Sequence, residues 1–139
     1  MSKNTGKSTE SDFEDILRSM GKKAYFHRLV DASTIHGLTG KSGQAPPQPS
    51  DYVAVIDGIT QFAEVKSTQN ISSFPFSLLR TKQSAAAKQV LAAGGDYFVY
   101  VKSIMRGKWY RLDYKRIELY KNTLDEQSIK WDEMPPWEF

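Results

Sequence analysis

Two carboxylates and an amine frame the run DYVAVIDGITQFAEVK, residues 51–66: Asp51 opens it, and Glu64 and Lys66 close it. Between them lie two alternating apolar stretches joined by Asp57-Gly58, a dipeptide favoured in two-residue hairpin turns. With that turn at the tip, Ile56 faces Ile59, Val53 faces Phe62 and Asp51 faces Glu64. Side chains alternate along a strand, so Asp51, Val53 and Val55 share a face with Thr60, Phe62, Glu64 and Lys66. Directly opposed residues lie about 5 Å apart at Cβ. The hairpin thus brings two carboxylates together at its open end, with a lysine one step beyond.

Carboxylates that close repel, and one of the pair would hold a proton unless a cation relieved the conflict. Hard oxygen ligands suit Mg²⁺ or Mn²⁺. The Val65 side chain points to the opposite face, but its carbonyl could add a ligand. Lys66 sits where it could orient an attacking water or offset charge on a phosphate. The plain alternative is an Asp51 that caps a strand and a Glu64–Lys66 surface pair of little energetic weight. Spacing alone leaves both readings open.

The elements that must position these groups can be read on either side. Phe13, Ile16, Leu17 and Met20 recur at helical spacing, Gly21 is a stop, and Ser11-Asp-Phe-Glu14 fits a capping box. Ala24 to Val30 reads as a strand. Residues 31–50 hold glycine, serine and prolines without periodicity, the pattern of a long loop or short stalk. Ser67 to Phe76 is a polar connection. The alanine-rich run from Thr81 to Ala93 predicts a helix ended by Gly94-Gly95. Asp96–Ser103 and Trp109–Leu112 read as strands, and Tyr114–Lys121 as a short helix. This order predicts an α/β domain with a mixed sheet and helices on its faces. Residues 1–9 are expected to be a disordered arm, 10–124 a single domain and 125–139 an acidic tail.

The 139 residues suit one core, with 40% hydrophobic and 25% charged residues and no cysteine. Absent cysteine excludes disulfides and thiol nucleophiles, and two histidines argue against structural zinc. There is no apolar run long enough for a membrane span and no secretory h-region, so the expectation is a cytoplasmic protein without membrane contact. Five of the 16 acidic side chains fall in residues 125–139, beside one lysine. Residues 1–124 therefore carry 18 basic and 11 acidic groups, a balance compatible with a polyanionic partner.

Asp51, a short hairpin and Glu64-Val-Lys66 resemble the core signature of the PD-(D/E)XK nucleases. The flanking Asp51-Tyr52, Ser73-Phe-Pro-Phe76 and Lys82-Gln83 before a helix look like the RecU family of Holliday-junction resolvases, over roughly residues 11–103. The resemblance implies a restriction-endonuclease-like fold: a mixed central sheet flanked by helices. It implies a metal-dependent endodeoxyribonuclease that resolves four-way DNA junctions as a homodimer, in a bacterial or phage-infected cell. Asp51 and Glu64 would hold Mg²⁺, Lys66 would be the catalytic lysine, and Gln83 would sit beside the site. Phe13-Glu14-Asp15 stands where the family has Phe-Glu-Glu, so Glu14 would reach the site from the first helix. Residues 31–49 are shorter than the stalk that enters the junction centre in cellular relatives, and the acidic tail has no counterpart in the resemblance.

Arg28, Lys41, Arg80 and Lys82 are candidates for phosphate contacts, Arg80 and Lys82 because they precede a helix whose first N–H groups are free. His27 reads as a partly buried strand residue, and Trp131 and Trp137 as anchors that dock the tail. Other readings are a less selective endonuclease or flap nuclease on the same fold, a non-catalytic DNA-binding module, and a structural domain with a salt-bridged hairpin.

Overall fold

The computed structural model describes residues 5–30 and 48–139. Lys41, His36 and nearly all of the expected loop at 31–50 lie outside the described residues. Helix α1 (Thr5–Ser19) leads into strand β1 (Ala24–Arg28), then β2 (Tyr52–Ile56), β3 (Ile59–Thr68) and the short β4 (Ser73–Pro75). Helix α2 (Thr81–Ala92) precedes β5 (Tyr97–Ser103) and β6 (Lys108–Asp113), and α3 (Tyr114–Asn122) is followed by β7 (Ser128–Lys130).

The main sheet has five strands in the order β1-β2-β3-β5-β6. β3 and β5 run parallel, joined by the α2 crossover; the other neighbours are antiparallel. This is the mixed sheet with flanking helices expected from the sequence. The β2–β3 register is also the one expected, with Ile56 opposite Ile59 and Val53 opposite Phe62. Asp57 and Gly58 both take positive φ, +54° and +80°, as a turn matched to strand twist requires.

Two cores cover the two faces of the sheet. β5 supplies both: Tyr97, Val99 and Val101 face α2 and α3, while Phe98 and Tyr100 face α1. That double burial explains why its sequence is apolar nearly throughout. On the α1 side, the Phe13 ring meets Tyr52, Tyr100, Trp109 and Trp137 at centroid distances of 5.0–6.0 Å.

Four expectations need correction. Residues 5–9 belong to helix α1, so the disordered arm does not extend to residue 9, and Ser11 lies inside the helix rather than at its cap. Thr9, only 3% exposed, anchors this extra turn against the body. The domain does not end at residue 124: β7 pairs with β4, and Trp131, Met134 and Trp137 are buried. The acidic groups of this segment face water while its apolar residues fill both cores. The polar connection is in part strand, since β3 runs on to Thr68 and β4 pairs at Ser73–Pro75. His27 is exposed, because β1 is an edge strand whose alternation turns it outward.

Candidate active site

The β2–β3 ladder stops at the Tyr52–Ala63 pair, one residue short of Asp51 and Glu64. There the Asp51 backbone carbonyl accepts from the Leu29 amide at 2.9 Å, and its side chain turns inward. Asp51 Oδ2 accepts the Val65 backbone N–H at 2.9 Å, which locks the carboxylate against β3. A second tie acts from β5: the Tyr97 hydroxyl donates to the Pro49 carbonyl at 2.6 Å, fixing the chain just ahead of Asp51.

Glu64 is 2% exposed. Its Oε2 accepts from the Gln83 amide at 2.6 Å and stands 3.5 Å from Lys66 Nζ. Gln83 is itself held, because its Oε1 accepts the Arg80 backbone N–H at 2.9 Å at the start of α2. The other Glu64 oxygen, Oε1, is buried without a hydrogen-bond partner. Burial, and then the neighbouring Asp51, pushes the Glu64 carboxyl up to about 8, while Lys66 opposes the shift. Burial also raises Asp51, against the Val65 N–H and the charges of Lys66 and Arg28.

These groups share an open cleft of about 560 Å³ whose lining includes Asp51, Glu64, Val65, Lys66, Arg80 and Gln83. Four of the residues singled out from the sequence as a site, Asp51, Glu64, Lys66 and Gln83, thus stand together. Among the described residues no set of three or more His, Asp or Glu side chains converges closely enough to hold a metal ion. The two-carboxylate donor set still fits a hard cation: one buried oxygen is unpartnered, and burial drives both acids toward protonation, a cost that a bound cation would relieve.

Glu14 does not line the cleft. Its Oε2 accepts from the Tyr52 hydroxyl at 2.6 Å, its Oε1 pairs with Arg18 at 3.0 Å, and Arg28 lies 3.5 Å away. Glu10, one helical turn earlier, lines the cleft instead. Burial raises the Glu10 carboxyl, Asp51 adds to the shift, and Arg28 opposes it. Glu10 escaped the sequence reading because Ser11 looked like a helix cap, which put Glu10 outside the helix. The pairing of Glu10 and Glu14 at i and i+4 was the available signal, since both then fall on one face.

Arg28, a candidate for phosphate contact, is ion-paired with Glu10, donates to the Tyr52 hydroxyl at 3.2 Å and lies over the Tyr52 ring at 5.7 Å. Arg80 lines the cleft, and Lys82 is exposed on the first turn of α2 without lining it. Tyr97 and Tyr52 are fully buried core residues whose hydroxyls brace the site and its flank.

A sequence model of the Recombination protein U family, RecU, matches residues 22–136. The match reaches through the acidic tail, in keeping with its place in the core. A Holliday junction resolvase RecU of Bacillus cereus (strain B4264) is 34% identical over 91 residues, covering 63% of this chain and 46% of the relative. RecU proteins of Bacillus thuringiensis (strain Al Hakam) and Bacillus anthracis (strain A0248) match at the same identity and coverage. The chain spans about half the length of these relatives. Among solved structures, Hjc of Archaeoglobus fulgidus, a Holliday junction resolvase, superposes with a TM-score of 0.55 at 16% identity, covering 90% of this chain and 86% of that one. That likeness places the two in one fold, and the family match goes further: this chain belongs to the RecU family.

Proposed function

We propose that the protein is a divalent-metal-dependent endodeoxyribonuclease acting on four-way DNA junctions. The observation that carries this reading is the unpartnered, buried Glu64 Oε1 beside Asp51, in a cleft that also presents Lys66. A binding module gains nothing from two carboxylates held together at such electrostatic cost. Asp51 and Glu64, with the Val65 carbonyl, would hold Mg²⁺, with Mn²⁺ as a substitute, and Glu10 adds a further carboxylate to the wall of the same cleft. Bound there, the ion supplies Lewis acidity and a more acidic water for phosphodiester hydrolysis.

The rest is done by the chain. Gln83 fixes one oxygen of Glu64 through its amide and leaves the other without a protein partner. The Val65 N–H orients Asp51. Lys66, 18% exposed at its side chain, offers a cation to the phosphate and to charge that develops on it. Arg80 stands where it can pair with a flanking phosphate, a contact that sets position rather than sequence. Two copies of the chain would place one such site on each of two opposed strands, as a homodimer in the cytoplasm.

The test is cleavage of a labelled four-way junction and a matched linear duplex, each with Mg²⁺, with EDTA and with Glu64→Gln. Paired nicks on opposed junction strands, only with metal and wild-type protein, are the expected result. Equal cutting of both substrates would replace the junction assignment by a less selective endonuclease. Binding without cutting in Mg²⁺ and Mn²⁺ would favour the non-catalytic module.

A further inference from the structure

Two loops form the rim of the cleft at the end of β3 and β5. Gln69, just past β3, and Ile104, just past β5, both line the cleft, and the Ile104 amide donates to the Thr68 carbonyl at 3.0 Å. The loops therefore leave the sheet side by side.

Both are held rigidly. Asn70 Oδ1 accepts the backbone N–H groups of Ser72 and Ser73 at 3.2 and 3.1 Å. The Asn70 carbonyl accepts the Trp131 indole N–H at 3.1 Å. In the second loop, the Gly107 amide closes onto the Ser103 carbonyl at 2.8 Å, and Arg106 pairs with Asp132 at 3.0 Å. Trp131 and Asp132 are adjacent, so one stretch of the tail pins both loops.

At the tips of these pinned loops stand Ile71, 72% exposed, and Met105, 60% exposed. Isolated apolar groups on a surface need no explanation. These two differ in following closely on Gln69 and Ile104, which do line the polar cleft, with Arg106 next in sequence to Met105. Isoleucine and methionine are among the side chains that DNA-bending proteins set against or between bases. A loop already ordered loses little entropy on making such a contact. Continuous duplex keeps its base faces stacked, whereas a branch point interrupts the stack.

Resting on the nuclease reading above, we propose that Ile71 and Met105 form an apolar contact for the base face exposed at a branch point of DNA seated in the cleft. They are specificity-determining residues: they favour branched over continuous DNA and leave the chemistry to the cleft.

The experiment compares wild type with Ile71→Ser/Met105→Gln, two exposed positions where polar residues leave the fold intact. Binding is measured in Ca²⁺ to a four-way junction carrying 2-aminopurine at the branch point and to a linear duplex carrying it centrally. The double variant is expected to lose about five- to tenfold in junction affinity while duplex affinity changes by less than about twofold. The rise in 2-aminopurine emission that wild type causes at the branch point should vanish. Unchanged junction affinity and emission would overturn the inference, as would equal losses on both DNAs. A change in sedimentation from dimer to monomer would also overturn it, by making the patch a contact between copies. If wild type binds neither DNA, the nuclease reading itself falls, and the inference with it.

Discussion

Replacing Glu64 by glutamine should stabilise the metal-free protein at alkaline pH. The Glu64 carboxyl titrates near 8 in the folded protein against 4.5 ordinarily. A raised carboxyl keeps its proton in the native state after the unfolded chain has released it. Native stability therefore falls as pH rises from 4.5 toward 8, and levels off above. Integrating the difference in bound protons gives a loss of about 3 kcal/mol between about pH 5.5 and pH 8. Glutamine keeps the shape and can still accept from the Gln83 amide, but it does not titrate. Urea unfolding in EDTA at the two pH values measures the effect. Wild type should lose about 2–3 kcal/mol on going to the higher pH, relative to Glu64→Gln. Adding Mn²⁺ at the higher pH should restore wild type and leave the variant unmoved, because a bound cation replaces the missing proton. Parallel pH profiles, or a variant less stable than wild type at the higher pH in EDTA, would refute the reasoning.

Three further outcomes are expected. Lys66→Met should slow junction cleavage by about a hundredfold or more in single-turnover assays while leaving junction affinity within a fewfold. Glu10→Gln should lower metal-dependent cleavage by about tenfold or more, whereas Glu14→Gln should act mainly on stability, by about 1–3 kcal/mol, through its bond to the Tyr52 hydroxyl; cleavage rates and melting curves of the two variants separate the roles. Trp137→Ala should cost about 3–5 kcal/mol in urea unfolding, since a nearly buried indole leaves a cavity among Phe13, Tyr100 and Trp109.

The centre of the site could be read from the sequence because it is local. A two-residue turn fixes the pairing of Tyr52–Ile56 with 59–63, so counting from Asp57-Gly58 carries Asp51 and Glu64 to the same end of the hairpin. The apolar run of β5 and the alanine-rich α2 were equally legible, each carrying its own period and stop. What failed was non-local. The β4–β7 pairing sets Phe74 against Ile129, and neither three-residue strand has enough length to announce itself. Five acidic side chains made residues 125–139 look like a solvated tail, although Trp131 and Trp137 pointed to docking. The first helix misled at its start, where a capping pattern at Ser11 outweighed polar residues that only tertiary packing makes helical. That error hid Glu10, while the resemblance at Phe13-Glu14-Asp15 put Glu14 forward in its place.

The contact between Phe13 and Trp137, at 6.0 Å between ring centroids, also has a kinetic meaning. It joins residues 124 positions apart (137 minus 13), whereas Val53 and Phe62 meet across a nine-residue step. Short loops close early in folding, and long ones pay their closure entropy late. The hairpin that carries Asp51 and Glu64 is thus expected to order before the wall that carries Glu10. A nascent or half-folded chain would possess the paired carboxylates but not the finished cleft. On the nuclease reading, competence to cut would arrive with the last step of folding.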